Sequence, residues 1–330
     1  MFRTFETTLA GRPLVIETGK MAQLANGHCL VRYGDTVVMV NVTASRSPRE
    51  GVDFFPLSVD YEEKLYSVGK IPGGYIKREG KPSEKAILTS RVIDRPMRPL
   101  FPKDYRNDVT LENLVMAVDQ DCSPELTAML GAALATSISD IPFDGPISTT
   151  QVGLVDGEFV FNPTAAQKIV SDLALTVAST KEKVIMIEAG AKEVPEDKMI
   201  EAIFAAHELN QKVIAFFDTI VAECGKKKHE YQSFAVPQEL FDAIQEIVTP
   251  AEMEEAVFTD DKQTREENIR VITEKLEEAF ADNEEWLAKL GEAVYQYQKK
   301  TVRKMILKDH KRPDGRAIDQ IRPLAAEVDL

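Results

Sequence analysis

The chain has 330 residues, of which 44% are hydrophobic, enough to bury one sizeable core and a second, smaller one. Its formal net charge of -14 excludes indiscriminate binding of nucleic acid over the whole surface, because phosphates need local cations and are repelled elsewhere. No stretch has the apolar length of a membrane span, the opening MFRTFETTLAG lacks the regions of a signal peptide, and Cys29, Cys122 and Cys224 form no CxxC pair. A cytoplasmic protein with buried thiols and no membrane contact is expected.

Residues 13 to 44 break into short β-branched runs punctuated by Gly19, Asn26-Gly27 and Gly34-Asp35, which reads as strands joined by hairpins. The run TVVMVNV from Thr36 is apolar at nearly every position, as in a strand covered on both faces. Further strands are expected at 109 to 118, at 151 to 161 with a hairpin at Asp156-Gly157, at 172 to 178 and at 183 to 188.

Helices alternate with these strands. Ser83 is placed to cap a helix over Glu84 to Asp94 that Pro96 should stop. Ser123 and Pro124 open a second, whose Ala and Gly stripe can lie close on a sheet. A long amphipathic helix from about Glu196 to Cys224 is expected to close at Gly225. The fold class is therefore α+β over residues 1 to 225.

The texture then changes. No glycine occurs from Lys226 to Leu290, and from Pro237 to Lys300 seventeen acidic residues face seven basic ones. Ile269, Val271, Ile272, Leu276 and Phe280 recur at helical spacing, so residues 226 to 308 read as a linker and a small all-α domain with a solvated acidic face. Residues 309 to 330 open with a Pro-Asp-Gly turn and read as the start of a truncated further domain.

Positive charge is segregated. From Lys64 to Arg106 there are eleven Lys and Arg against four Asp and Glu, a balance of +7 that leaves -21 for the remainder. If a polyanion binds, it binds here.

The motifs ETGKMAQLANGHCLVRYGDTVVMVNV, KIPGGYIKREGKPSEKAILTSRVIDRPMRPLFP, DIPFDGPI and RPDGRAIDQIRPL resemble those of the bacterial polynucleotide phosphorylases, within the ribonuclease PH superfamily. The resemblance covers essentially the whole chain. It implies a first ribonuclease PH-like core, of the ribosomal protein S5 domain 2-like type, then the all-helical domain and the opening of a second core. It further implies a homotrimer that shortens single-stranded RNA from its 3′ end, with inorganic phosphate as co-substrate and release of nucleoside diphosphates. Mg2+ is implied for the parent enzyme, at a site outside this chain, together with partners from an RNA-degradation complex.

The same resemblance places the family's chemistry in the second core. Where the family has a Gly and Ser rich phosphate cradle, this chain has DQDCSPELTA, whose Asp119, Asp121 and Glu125 should repel phosphate. Lys168, Ala174 and Thr176 stand where the family has two Asp and a Lys. No catalytic and no metal-binding residue is expected, and Asp172 alone reads as a solvated carboxylate.

GGYIKREG, by contrast, has the composition of a loop that stacks a base and grips phosphate, and in the family this loop lines the neck of the RNA channel. Tyr75, Ile76, Lys77 and Arg78 are the expected RNA-binding residues, with Ile76 replacing a second aromatic and Lys77 an arginine. Arg91, Arg95 and Arg98 either join the phosphate path or form structural ion pairs. Lys226, Lys227, Lys228 and His229 read as cations offsetting a helix end, and His28 and His207 as structural histidines. Two functions stay open for the chain by itself: part of a phosphorolytic exoribonuclease, or a noncatalytic RNA-binding and assembly module.

Overall fold

The computed structural model describes residues 2–75 and 77–328. It divides into two compact units, Met1–Phe234 and Ala235–Leu330.

Unit 1 opens with β1 (Arg3–Leu9) and β2 (Arg12–Thr18), joined by Ala10-Gly11 with φ of 46° and 77°, the left-handed pair of a tight hairpin turn. β3 (Gly27–Tyr33) and β4 (Thr36–Ala44) continue the antiparallel ladder. β5 (Leu57–Glu63) lies at the edge, parallel to β6 (Val109–Ala117), giving the order β1-β2-β3-β4-β6-β5. Parallel neighbours need a crossover connection. The one from β5 to β6 carries the basic stretch and α1 (Glu84–Met97), which packs on β5.

Strand β4 departs from the expected burial on both faces. Val38, Val40 and Val42 are sealed, whereas Met39 and Asn41 on the opposite face are half-buried. Helix α1 also departs from expectation, since it runs through Pro96 to Met97. Proline removes only its own N–H, and here it falls in the last turn, where the Arg98 N–H still reaches the Asp94 carbonyl.

Helix α2 (Pro124–Ile138) has Ser123 as cap, its hydroxyl accepting from the Leu126 N–H at 3.3 Å. From Leu126 onward every residue of α2 is buried, as a helix apolar all round requires. A Cβ at Gly131 would lie 2.5 Å from Val40 Cγ2, so the small stripe is what lets α2 lie this close to β4.

A second sheet, ordered β10-β9-β7-β8, is built from β7 (Ser148–Val155), β8 (Glu158–Phe161), β9 (Leu173–Ser179) and β10 (Val184–Ala191), with the short α3 (Ala165–Val170) between β8 and β9. The long α4 (Glu196–Cys224) packs on β7 and β9. Its buried Asn210 accepts from the Thr150 hydroxyl at 2.8 Å and donates to the Val177 carbonyl and Ser179 hydroxyl at 3.1 and 2.9 Å. Gly225 closes α4 as expected, in extended backbone with φ -64°; a Cβ there would lie 2.4 Å from the Val221 carbonyl oxygen. Cys29 and Cys122 are buried, while Cys224 is half-buried.

Residues 226 to 234 run along unit 1, with Lys226 N–H bonded to Ile138 O, His229 N–H to Asp140 O and Phe234 N–H to Asp104 O. The Lys228 ammonium donates to the carbonyls of Thr136, Ser137 and Ser139 at 3.3, 3.0 and 2.8 Å. It therefore offsets the C-terminus of α2, which is distant in sequence, and not that of the helix it follows.

Unit 2 holds α5 (Gln238–Ile247), α6 (Pro250–Val257), α7 (Lys262–Ala279) and α8 (Glu284–Leu307). Leu240, Ile244, Met253, Leu276, Leu290 and Met305 form its core. Val271, expected on the apolar face of α7, is more than half exposed.

Candidate nucleic-acid interface

The basic stretch starts from a fixed platform. In the 3-10 turn Leu65–Val68, the Ser67 N–H bonds to Lys64 O at 3.0 Å, and the Val118 N–H bonds to Ser67 O at 3.2 Å, tying the turn to the end of β6. Gly69 closes the turn at φ 71°, a conformation that favours glycine. From there until Ser83 caps α1, the described residues form no helix or strand.

At the loop tip the Lys77 N–H reaches back to the Gly74 carbonyl at 3.2 Å, and Lys77 itself takes φ 54°. This closure leaves Tyr75 fully exposed. The Lys77 ammonium donates to Gly73 O at 3.2 Å, using one of its three donors within the loop. Arg78 is exposed and has no hydrogen bond or ion pair with another described residue. Ile76 lies outside the described residues.

The three arginines grouped in the sequence reading part company. Arg91 is exposed and unpaired among the described residues. Arg95 lies 3.7 Å from Glu188, with both side chains more than half exposed, a weak ion pair. Arg98 has a structural assignment. It makes two bonds to Asp94, at 3.1 and 3.0 Å, donates to the carbonyls of Phe55 and Leu57 at 3.1 Å each, and lies 5.8 Å over the Phe55 ring.

Between α1, the start of α2 and the second sheet lies a cleft of about 800 Å³. Lys168, Ala174 and Thr176 all open onto it, as does Glu125. The expected repulsion is modified here, because Glu125 has its own counterion: Lys85 stands 2.7 Å away, and the Ser123 hydroxyl donates to the carboxylate at 2.6 Å. Burial raises the Glu125 pKa, but Lys85, Ser123 and the backbone N–H outweigh it and hold the carboxyl below its usual value. Asp121 is engaged elsewhere, accepting from the Ala165 N–H at the start of α3 at 3.0 Å. Asp119 accepts from the Asp121 N–H at 3.0 Å, which holds its carboxyl low. Asp172 pairs with Lys192 at 3.3 Å.

Mg2+ would need carboxylates that converge and remain unpaired. Among the described residues no group of three His, Cys, Asp or Glu side chains is arranged to hold a metal, and in the cleft Glu125 and Glu188 already face Lys85 and Arg95. Of the cleft carboxylates Glu84, Glu125 and Glu188, the last two are thus already matched to cations.

Sequence reasoning offered Glu79 only as a partner for Arg91, Arg95 or Arg98, and passed over the pairing of Lys64 and Lys85. The Glu79 carboxylate accepts the Leu65 N–H and lies 3.8 Å from Lys64, which is 2.6 Å from Glu62. An acid beside Arg78 in a stretch otherwise rich in cations was the available signal.

Residues 10–142 match the model of the 3′ exoribonuclease family, domain 1, and residues 145–208 match its domain 2. Residues 239–317 match the polyribonucleotide nucleotidyltransferase RNA-binding domain. Over the full length of this chain, a polyribonucleotide nucleotidyltransferase of Lachnoclostridium phytofermentans is 73% identical and one of Ruminiclostridium cellulolyticum 56%. One of Caldicellulosiruptor saccharolyticus is 52% identical over 99% of this chain. The chain spans about half the length of these relatives, 47% of each. A solved chain of the Archaeoglobus fulgidus exosome, with RNA bound to the active site, matches 66% of this chain and 88% of its own length at TM-score 0.51 and 17% identity, a likeness of fold. The two-sheet core has the ribonuclease PH-like α+β fold, and the chain belongs to the 3′ exoribonuclease family, with the polyribonucleotide nucleotidyltransferase RNA-binding domain as its helical part.

Proposed function

We propose that the loop around Tyr75, Lys77 and Arg78 contacts single-stranded RNA, and that this chain is the RNA-channel and framework part of a polynucleotide phosphorylase. The whole protein would shorten RNA from the 3′ end with inorganic phosphate, releasing nucleoside diphosphates, as a cytoplasmic homotrimer open to RNA-degradation partners. The phosphate and Mg2+ chemistry belongs outside residues 1–330. The observation that carries the reading is the tip geometry: an exposed tyrosine, an arginine unpaired among the described residues and a lysine with donors to spare, in a chain of net charge -14. Base stacking on Tyr75 and phosphate contact by the two cations need no fixed RNA sequence. Arg91 extends the cationic path on α1, Arg95 is open to exchange of its weak partner, and Arg98 serves the fold.

A second reading, that the chain by itself is a noncatalytic RNA-binding module, is favoured by the cleft, where Glu125 and Lys85 neutralise each other at the position a phosphate would need.

The test is fluorescence anisotropy of a short single-stranded RNA with wild type, Tyr75→Ala and the Lys77→Ala, Arg78→Ala double variant across a salt series. Loss of two phosphate contacts should make the log-log salt slope shallower by about 1.4. An unchanged slope and affinity would refute RNA contact at the tip. Release of nucleoside diphosphates by this chain alone would overturn the noncatalytic reading.

A further inference from the structure

An acidic residue next to Arg78 is electrostatically costly for an RNA-gripping loop, so its placement needs a reason. Glu79 is an exposed residue, but its side chain, 26% exposed, is engaged: the carboxylate accepts the Leu65 N–H, and Lys64 stands at 3.8 Å. Leu65 belongs to the turn tied to the end of β6 through Ser67 and Val118, so Glu79 is bonded to a turn that is itself held by the sheet. The contact joins the outgoing limb of the loop to its entry, tying together two residues fourteen apart in sequence. The remaining stretch from Lys70 to Arg78 has no regular element among its described residues. Closing a segment of this kind removes conformations it would otherwise lose on binding RNA.

We propose that Glu79 is the positioning residue of the basic loop: it braces the Tyr75 to Arg78 tip against the Leu65 turn and so pre-organises the RNA grip. The proposal rests on the reading of that tip as an RNA contact. Glu79 touches no substrate and works through the loop it holds. Lys64 is shared with Glu62 at 2.6 Å, so its single positive charge offsets only part of the two carboxylates.

Electrostatics and positioning predict opposite signs. Removing a negative charge from beside a cationic site strengthens RNA binding if charge alone matters. Removing a brace weakens it.

The experiment compares wild type, Glu79→Ala, Glu79→Gln and the Lys77→Ala, Arg78→Ala double variant of this chain, with oligouridylate as the RNA probe. Glu79→Ala is expected to weaken RNA binding about three- to tenfold with the salt slope retained, because the phosphate-contacting cations remain. Glu79→Gln keeps an acceptor for the Leu65 N–H and should bind within about twofold of wild type. Limited trypsin digestion gives a readout that needs no RNA: cleavage after Lys70, within the loop and away from the substituted position, should accelerate about three- to tenfold in Glu79→Ala and little in Glu79→Gln. Unchanged cleavage, or RNA binding as tight as wild type in Glu79→Ala, would overturn the proposal. If the double variant binds RNA normally, the RNA reading itself fails, and the trypsin rates still uphold or overturn the brace.

Discussion

Arg98 is bonded within the fold, whereas Arg78 and Arg91 are proposed to face RNA, and replacing Arg98 by alanine tests the distinction. The substitution removes two charged hydrogen bonds to the Phe55 and Leu57 carbonyls, the pair with Asp94 and the cation placed 5.8 Å over the Phe55 ring. Buried, such charged hydrogen bonds would be worth about 1.5 to 3 kcal/mol each. The side chain is 42% exposed, so solvent screens them and the Asp94 pair falls to the scale of a surface salt bridge. The total expected loss is about 2 kcal/mol, with the ring contact included. For a domain of this size that corresponds to a fall of about 4 to 8 °C in the melting temperature of unit 1. Calorimetry or circular dichroism reads it directly. Arg98→Lys should not restore the loss, because one ammonium cannot span two carbonyls and a carboxylate in the geometry of the guanidinium fork. In the same assays Arg78→Ala and Arg91→Ala should melt within about 2 °C of wild type, as exposed residues do. An Arg98→Ala variant that melts like wild type yet loses RNA affinity would refute the reasoning and return Arg98 to the phosphate path.

Three more outcomes follow from the packing and the cleft. Gly131→Ala should destabilise unit 1 by about 1 to 3 kcal/mol in urea unfolding, since the added Cβ would lie 2.5 Å from Val40 Cγ2 and 3.1 Å from Val31 Cγ2; a neutral result would mean that α2 can shift from the sheet. Asn210→Leu should cost about 2 to 3 kcal/mol because it strands the Thr150 and Ser179 hydroxyls and the Val177 carbonyl inside the α4 contact, as denaturant midpoints would report. Glu125 has a folded pKa below its ordinary value of 4.5, so the stability it contributes is fully present above about 4.5 and lost as pH falls through the folded value. The stability gap between wild type and Glu125→Gln should therefore close as the pH is lowered into that range, and a gap independent of pH would refute the ion-pair account.

Much of the secondary structure was legible because it is written in local terms. The caps Ser83 and Ser123, Pro124 at a helix start and the Asp156-Gly157 turn act over a few residues, and each element begins or turns there. The glycine-free, acidic texture after Gly225 likewise announced a helical unit. Strand β1, strand β5 and helix α3 went unread: the first two are edge strands, and α3, at six residues, is too short for a periodic signal. Pro96 misled because its penalty depends on how many turns follow, which local sequence does not state.

The sequence by itself determined the charge segregation, the tip residues Tyr75, Lys77 and Arg78, and the family resemblance, since these depend on which residues are present and in what order. Only the tertiary structure decided which charges are spent. Arg98 is consumed by carbonyls of residues 55 and 57, Lys228 by the end of α2, Glu79 by the Leu65 turn and Glu125 by Lys85. Each of these partners lies beyond the reach of helical or strand periodicity, and an ion's availability to RNA depends on the nearest opposite charge or dipole in space and not along the chain.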